Sequence, residues 1–213
     1  MDNFYQSQYQ QDKILNEKYF KNRVGGVFVD SGAHDGKSLS NTFFYEKALN
    51  WKGLCIEPLP KVFKQLKENR SCILVEGAAW KEDTIKQFRI VEGYSEMLSG
   101  FIDTYPDAHQ KRIADEIALM GGSSVDVNIK CFDVTKLLLK HKLTKINFLS
   151  IDVEGSELDI LESIDYNKIR IDIILAENNY NDSRLASFLE TKGYELAGRI
   201  SIDDVYILKG VYE

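Results

Sequence analysis

Four acidic residues follow predicted β-strands, and they are the first candidates for chemistry in this chain. Each comes after a short apolar run rich in strand formers, which predicts a buried strand. The four are Asp30, Glu57, Asp152 and Glu177. Ligands of open α/β sheets bind at the carboxyl ends of the parallel strands. We therefore expect these carboxylates along one binding edge; the alternative is four acids scattered on solvated loops.

Gly32 and Gly36 bracket a turn after Asp30, where side chains would obstruct a ligand lying against the backbone. Their spacing differs from the Gly-x-Gly-x-x-Gly turn that holds a dinucleotide pyrophosphate at a helix N-terminus. The carboxylates of Asp30 and Asp35 favour a cation over a pyrophosphate. S-adenosylmethionine carries a sulfonium, an ammonium and a ribose diol, but no phosphate. The alternative is a turn that only connects a strand to a helix.

Glu57 follows Asp30 by 27 residues and is placed to accept hydrogen bonds from both ribose hydroxyls. A solvated strand end is the alternative interpretation. A Rossmann-type oxidoreductase that binds NAD would also use an acid on the ribose, but the chain lacks the three-glycine pattern of that class. The residues therefore favour S-adenosylmethionine, with an oxidoreductase or a non-catalytic cofactor-fold module as alternatives.

Three stretches around this turn and one further along resemble the FkbM-type methyltransferases. They are residues 28–36, Ser40-Asn41-Thr42, residues 51–58 and residues 151–157, and the resemblance covers most of residues 7 to 180. It implies a Rossmann-like class I methyltransferase fold, α/β, with a mostly parallel seven-stranded sheet and an antiparallel C-terminal hairpin. Ser150 stands where many members carry lysine, so no role of that lysine is transferred to this chain.

The resemblance also implies S-adenosylmethionine as cofactor, with the adenine edge at Ala78 and Ala79. Tight packing of a crossover is the other explanation of those small residues, and a solvated N-terminal cap is the other explanation of Gln11. The predicted cofactor-binding residues are Gln11, Asp30, Gly32, Ala33, His34, Gly36, Asn41, Glu57, Pro58, Ala78, Ala79 and Asp152.

Methyl transfer to a hydroxyl needs a base near the acceptor, because a neutral hydroxyl is a poor nucleophile. Asp152 is the first candidate, with Glu154 and His34 behind it. Glu154 and Glu157 have a simpler explanation as charges that interact with a helix dipole. The resemblance implies transfer to oxygen and a sugar or glycan acceptor; a non-sugar small molecule is the alternative.

Asp152, Glu177 and Asn178 also form a candidate site for a divalent metal. Mg²⁺ and Mn²⁺ prefer oxygen ligands of this kind, and such an ion would orient a diol and lower the pKa of the attacking hydroxyl. The alternative is that Asp152 acts as a base or a cofactor contact, with Glu177 bonded to a loop amide.

The remaining pattern supplies the elements around these residues. Apolar spacing predicts an N-terminal helix over 5–21, and a helix from about Ser38 with Leu39, Phe43 and Leu49 facing the sheet. Further predicted helices cover residues 60–69, 106–120, 135–141, 157–164 and 182–192. Further predicted strands cover residues 72–75, 87–91, 125–130, 194–200 and 205–211. We expect residues 93–124 to be an inserted lid or substrate segment, with a structural helix as alternative, and His109 to be solvated.

Composition agrees with one α/β domain over residues 1–213. The net charge of −6 argues against a nucleic-acid partner. No apolar run reaches membrane-spanning length and the polar N-terminus is no signal peptide. Cys55, Cys72 and Cys131 lie in apolar runs and read as reduced core residues, which predicts a cytoplasmic protein.

Overall fold

The computed structural model describes residues 4–105, 107–179 and 181–212. Among them the chain forms eleven strands: β1 (Val27–Ser31), β2 (Lys52–Glu57), β3 (Ile73–Glu76), β4 (Ala78–Trp80), β5 (Thr84–Gly93), β6 (Gly100–Phe101), β7 (Gly122–Asp133), β8 (Lys145–Ile151), β9 (Arg170–Glu177), β10 (Tyr194–Ile200) and β11 (Asp203–Leu208). Seven of these form one sheet in the order β10-β11-β9-β8-β1-β2-β3. Only β11 runs against its neighbours β9 and β10. The predicted parallel sheet with an antiparallel C-terminal hairpin is confirmed.

Helices cover both faces of this sheet. They are α1 (Gln11–Leu15), which continues as a π-helical turn over Asn16–Phe20, α2 (Phe43–Leu49), α3 (Pro60–Asn69), α4 (Asp107–Met120), α5 (Val134–Lys140), α6 (Glu157–Ser163) and α7 (Ser183–Thr191). Side chains alternate along β1, so Phe28 packs into the core under α1, α2 and α3 while Val29 packs into the core under α5, α6 and α7. The carboxyl edge of the sheet is thereby fixed between two packed layers.

A second sheet, in the order β4-β7-β5-β6, stands beside the carboxyl edge. Gly77 carries the chain from β3 into β4 with φ +143°, and a Cβ there would lie 2.6 Å from the carbonyl oxygen of Lys130. The two strands predicted in this region form an antiparallel ladder that is longer than expected. The sequence did not predict β4, because three residues carry too short a pattern.

Three local predictions were wrong. Helix α2 begins at Phe43 and not at Ser38; Leu39 has φ +58° and is exposed instead of facing the sheet. The N-terminal helical segment is shorter than 5–21. His109 was expected to be solvated but is buried. Its Nε2 donates to the carbonyl oxygen of Leu98, and its ring packs on Tyr105. Pro106, the predicted first residue of α4, lies outside the described residues.

Asp30, expected just after its strand, lies within β1. The three cysteines are free thiols, with Cys55 and Cys131 buried and Cys72 half-buried. In the described part of the chain, no helix combines the length and the apolar character that a membrane span requires.

A two-lobed cleft at the carboxyl edge of the sheet

The carboxyl ends of β1, β2, β8 and β9 open into a cleft with two lobes. The first, here the β2 lobe, has a volume of about 680 Å³ including its open mouth. The second, the β8 lobe, has about 1030 Å³ on the same measure. Both lobes are lined by Gly32, His34, Met97, Asp152 and Glu154. Because these residues are shared, the two lobes lie side by side.

Glu57 forms the polar rim of the β2 lobe at the end of its strand. Its Oε2 accepts a hydrogen bond from the His34 amide at 2.9 Å, and its Oε1 accepts one from the Leu59 amide at 2.8 Å. The side chain is buried, and this burial raises its pKa to about 7 despite the two amide donors. Each carboxylate oxygen retains acceptor capacity beyond one amide bond.

Most of the other side chains of the β2 lobe are apolar, although Ser31, His34, Glu96, Ser99, Asp152 and Glu154 line it as well. Ala78 and Ala79 are buried in β4, and their small side chains leave the space beside Glu57 open. Phe88 and Phe101, from β5 and β6, line the lobe with them. A largely apolar slot that carries a few polar groups is suited to a planar ring with a polar group at one end.

The glycines of the β1 turn are required by contacts within the protein. Gly32 has φ +85°, and a Cβ on it would lie 1.8 Å from the carbonyl oxygen of Asp152. Gly36 has φ +76°, and its Cβ would lie 2.4 Å from Cδ1 of Leu66 and 2.6 Å from Cγ of Arg70. The sequence attributed both glycines to the approach of a ligand. Gly32 does line the cleft, whereas Gly36 lines neither lobe because α3 packs against it.

The buried side chain of Arg70 connects the turn after β1 to helix α2 through hydrogen bonds. The Arg70 guanidinium donates to Glu46 Oε2 at 2.5 Å, to the Gly36 carbonyl oxygen at 3.1 Å and to Thr42 Oγ1 at 3.0 Å. Thr42 in turn donates to Asp30 Oδ2 at 2.5 Å. We call Asp30, Thr42, Glu46 and Arg70 the arginine network.

Opposite charges balance one another within this network. Burial tends to raise the pKa of Glu46, but the neighbouring Arg70 lowers it to about 2. Burial raises the pKa of Asp30, and Arg70 and the Thr42 hydroxyl oppose that rise. Asp30, predicted to contact the cofactor, lines the β8 lobe but is also committed to this network.

Three carboxylates converge at the ends of β8 and β9. Asp152, Glu154 and Glu177 each place an oxygen within 4.8 Å of the others, and we call them the acid cluster. Solvent reaches Asp152, yet surrounding protein atoms and the nearby Asp203 and Glu157 raise its pKa to about 7. Burial followed by the charge of Asp152 raises the pKa of Glu177 to about 11.

The loop after β8 gives Glu154 its position. Glu157 accepts hydrogen bonds from the amides of Val153 and Gly155, which folds the loop back on itself. Glu154 adopts φ +57°, and its Oε2 lies 3.6 Å from Nδ1 of His109 on α4. Burial, followed by the charge of Asp152, raises the pKa of Glu154 well above its ordinary value. The segment between β5 and β7 thus reaches the acid cluster through α4.

Most of the residues predicted for the site lie at this cleft. Those lining one or both lobes are Gln11, Asp30, Gly32, Ala33, His34, Asn41, Glu57, Pro58, Ala78, Ala79, Asp152, Glu154 and Glu177. The side chain of Asn178, a predicted metal ligand, is hydrogen-bonded on both sides: its Oδ1 accepts from the Asp182 amide at 2.6 Å, and its Nδ2 donates to Asp204 Oδ2 at 2.6 Å. Glu154, which was not predicted as a metal ligand, is the third carboxylate beside Asp152 and Glu177.

The sequence missed several residues of the cleft. Asp203 accepts a hydrogen bond from Gln11 Nε2 at 2.5 Å in the β8 lobe, and Asn41 Nδ2 donates to Ser150 Oγ at 3.1 Å. Asp203 begins β11 directly opposite Glu177. An acid in the turn before the last strand was the available signal. Met97 gave no signal, since it lies in a segment without a regular pattern.

The sequence matches the model of the methyltransferase FkbM domain over residues 30–196. No curated protein matches the chain. Among solved structures, a methyltransferase FkbM from Methylobacillus flagellatus KT superposes with a TM-score of 0.50 at 13% identity, covering 86% of this chain. This chain spans only 43% of that protein.

Two other solved structures have lower TM-scores. A precorrin-6y C5,15-methyltransferase from Geobacter metallireducens GS-15 has 14% identity and a TM-score of 0.44. The match covers 97% of this chain and 92% of the precorrin methyltransferase chain. The METTL16 MTase domain has 11% identity and a TM-score of 0.47, and the match covers 93% of this chain and 65% of the METTL16 chain. At such identities a likeness concerns the fold.

Proposed function

We propose that this chain, which belongs to the FkbM methyltransferase family, transfers a methyl group from S-adenosylmethionine to a hydroxyl oxygen of a sugar or glycan. The observation that supports the proposal best is that the two lobes adjoin. The largely apolar lobe that carries Glu57 shares Asp152 and Glu154 with the lobe that holds the acid cluster. One end suits a nucleoside, and the other suits a cationic group beside a base.

The residues present fit the cofactor. In the β2 lobe, Glu57 would accept the ribose hydroxyls and the wall at Ala78 and Ala79 would take the adenine ring. In the β8 lobe, Gln11 and Asp203 would meet the polar amino-acid end. When bound there, S-adenosylmethionine supplies a methyl group on a positively charged sulfur, and the surrounding carboxylates favour such a charge.

Polar atoms that lack a partner support the same assignment. Both ring nitrogens of His34 and Oδ1 of Asn41 are buried without a hydrogen-bond partner among the described residues. Both side chains line the β8 lobe. Buried polar groups are nearly always satisfied, so a ligand that supplies polar atoms between these two residues completes the site.

Asp152 would act as the base for the acceptor hydroxyl. A general base works best when its pKa is near the operating pH, and the pKa of Asp152 is about 7. Glu154 and Glu177 lie beside it and would bind the other hydroxyls of a sugar. Fixing the acceptor in line with the methyl group contributes about 7–11 kcal/mol in favourable cases. His34 faces both lobes and would border the reacting groups.

The oxidoreductase alternative has less support. A pyrophosphate between the two lobes would face the acid cluster across the shared residues, where like charges repel it. The choice between a sugar and another small hydroxyl compound rests on the family resemblance alone.

The predicted divalent ion stays a separate prediction, now with Asp152, Glu154 and Glu177 as its candidate ligands. If Mg²⁺ or Mn²⁺ is required, EDTA removes activity and either ion restores it. Full turnover in the presence of EDTA would reject the ion and leave Asp152 to act directly.

The test of the proposal is transfer of a labelled methyl group from S-adenosylmethionine to a panel of sugars and glycans. We expect label on at least one hydroxyl-bearing acceptor, and loss of transfer in Asp152→Asn. The control is Asp165→Asn, which neutralises an aspartate paired with Lys168 away from the cleft. Label on nitrogen or carbon alone, or equal transfer by Asp152→Asn, would contradict the proposed chemistry.

A further inference from the structure

Ser31 is the last residue of β1, and its hydroxyl is buried without a hydrogen-bond partner among the described residues. Its side chain is 2% exposed. In the parallel ladder it lies between Ile56 of β2 and Ile151 of β8. The backbone of Ser31 takes part in the hydrogen-bonded ladders with these strands. Its side-chain hydroxyl is the polar group that lacks a partner.

The direction of the side chain follows from the alternation along the strand. Val29 points into the core under α5, α6 and α7, together with Ile56 and Ile151. Ser31, two residues later, points to the same side of the sheet. Ser31 lines the β2 lobe, as Glu57 and Ala79 do.

Burying a hydroxyl without a hydrogen-bond partner costs desolvation free energy and destabilises the folded protein. An alanine at this position would carry no such cost. Such groups in well-packed strands call for an explanation. In a largely apolar lobe, a hydroxyl that lacks a partner is complementary to a flat ligand with a polar atom on its inner edge.

We infer that the Ser31 hydroxyl hydrogen-bonds to the nucleoside part of S-adenosylmethionine. The inference rests on the proposed function and deepens it, since it adds a contact on the floor of the β2 lobe to the one at Glu57. It also separates the nucleoside from the amino-acid end of the cofactor, because Ser31 does not line the β8 lobe.

The test is calorimetry of Ser31→Ala with two ligands, S-adenosylhomocysteine and 5′-methylthioadenosine, which lacks the amino-acid end. Loss of one hydrogen bond weakens binding by about 3- to 10-fold, and we expect the same factor for both ligands. The melting temperature of the unliganded variant should equal or exceed that of the wild type, because an unsatisfied hydroxyl has been removed.

Ser156→Ala is the matched control. Its hydroxyl is also buried and without a partner among the described residues, but Ser156 lines neither lobe. It should bind both ligands as the wild type does. Unchanged affinity of Ser31→Ala, or a lower melting temperature that signals a structural role, would overturn the inference while leaving the proposed function intact. A wild-type protein that binds neither ligand would overturn both.

Discussion

Two groups of carboxylates lie on either side of Gly32, and they differ in how their charge is balanced. In the arginine network, Asp30 and Glu46 surround a guanidinium that is fully buried, and the pKa of Glu46 falls to about 2. In the acid cluster, like charges face one another, and the pKa values of Asp152 and Glu177 rise to about 7 and 11. Removing one member of a buried ion pair leaves an uncompensated charge, which destabilises the fold, whereas carboxylates with raised pKa values in a cleft are candidates for binding or catalysis.

The largest effect should come from removing the balancing charge. Arg70→Met leaves Asp30 and Glu46 buried without a cation, and breaking such a pair costs about 3–5 kcal/mol of the free energy of unfolding. Urea unfolding measures this loss. Arg184→Met is the control, because its pair with Asp182 is exposed and such pairs contribute about 0–1 kcal/mol. Equal effects of the two substitutions would remove the distinction between the two carboxylate groups.

Gly32 joins the two groups, and its substitution should have the next largest effect. Gly32→Ala brings a Cβ against the Asp152 carbonyl oxygen at positive φ, and strain plus overpacking should cost about 2–4 kcal/mol of folding free energy. Gly25→Ala is the matched control, since Gly25 has φ +72° with open space around it, and should cost about 1–2 kcal/mol. Thermal unfolding of both variants measures the difference. If the Gly32→Ala protein were as stable as the Gly25→Ala protein, the contact with Asp152 would not be the reason for glycine at position 32.

Glu57 is an intermediate case, since its oxygens are held by amides while its pKa rises to about 7. Glu57→Gln removes the charged acceptor and should weaken S-adenosylhomocysteine binding by about 1.5–3 kcal/mol, the range for hydrogen bonds to a charged group. Calorimetry measures the affinity, and circular dichroism checks that the fold persists. Unchanged affinity in a folded variant would reject the ribose assignment.

The same residue predicts a pH dependence. The folded protein holds a proton on Glu57 up to about pH 7, whereas the unfolded chain loses it near the ordinary value of 4.5. The folded state therefore binds more protons, so this group's contribution to stability is lost as pH rises from about 4.5 through 7. Cofactor affinity should change in the opposite direction, because the carboxylate is the better acceptor. If the stability of the wild type did not change between pH 4.5 and 7, Glu57 would not be buried in its protonated form.

The smallest effect should appear in the acid cluster. With a pKa of about 11, Glu177 holds a proton at pH 8 that the unfolded chain does not hold, and this proton uptake disfavours the folded state. Glu177→Gln removes that cost and should raise the free energy of unfolding at pH 8 by about 1 kcal/mol, while lowering activity. Glu190→Gln, on the exposed side of α7, is the control and should change stability by less than about 0.5 kcal/mol. Destabilisation by Glu177→Gln would indicate that this carboxylate is structurally paired.

The sequence predicted the parts of the fold that carry a local pattern. Apolar runs predicted most strands of the large sheet, the family resemblance implied their arrangement with a closing hairpin, and acids at strand ends predicted the edge where Asp152 and Glu177 meet. Arg70 could not be predicted, because its partners lie far away along the chain and a lone arginine after a helix is usually solvated. The role of Gly32 was hidden for the same reason, since its close contact is with Asp152.

The surroundings of Asn178 and Glu154 illustrate the limit at the site itself. Asn178 directly follows Glu177, but its Oδ1 accepts from the Asp182 amide and its Nδ2 donates to Asp204. Glu154 is brought in by a fold of the loop that depends on Glu157. Residue types at strand ends indicate which groups are available, while the loops decide which of them converge.

Calorimetry of the wild-type protein with S-adenosylhomocysteine and, separately, with NAD decides whether the cleft holds a methyl donor. We expect saturable binding of S-adenosylhomocysteine at one site per chain, and no binding of NAD, whose pyrophosphate would meet the acid cluster. Binding of NAD without binding of S-adenosylhomocysteine would contradict the assignment of the two-lobed cleft to a methyl donor.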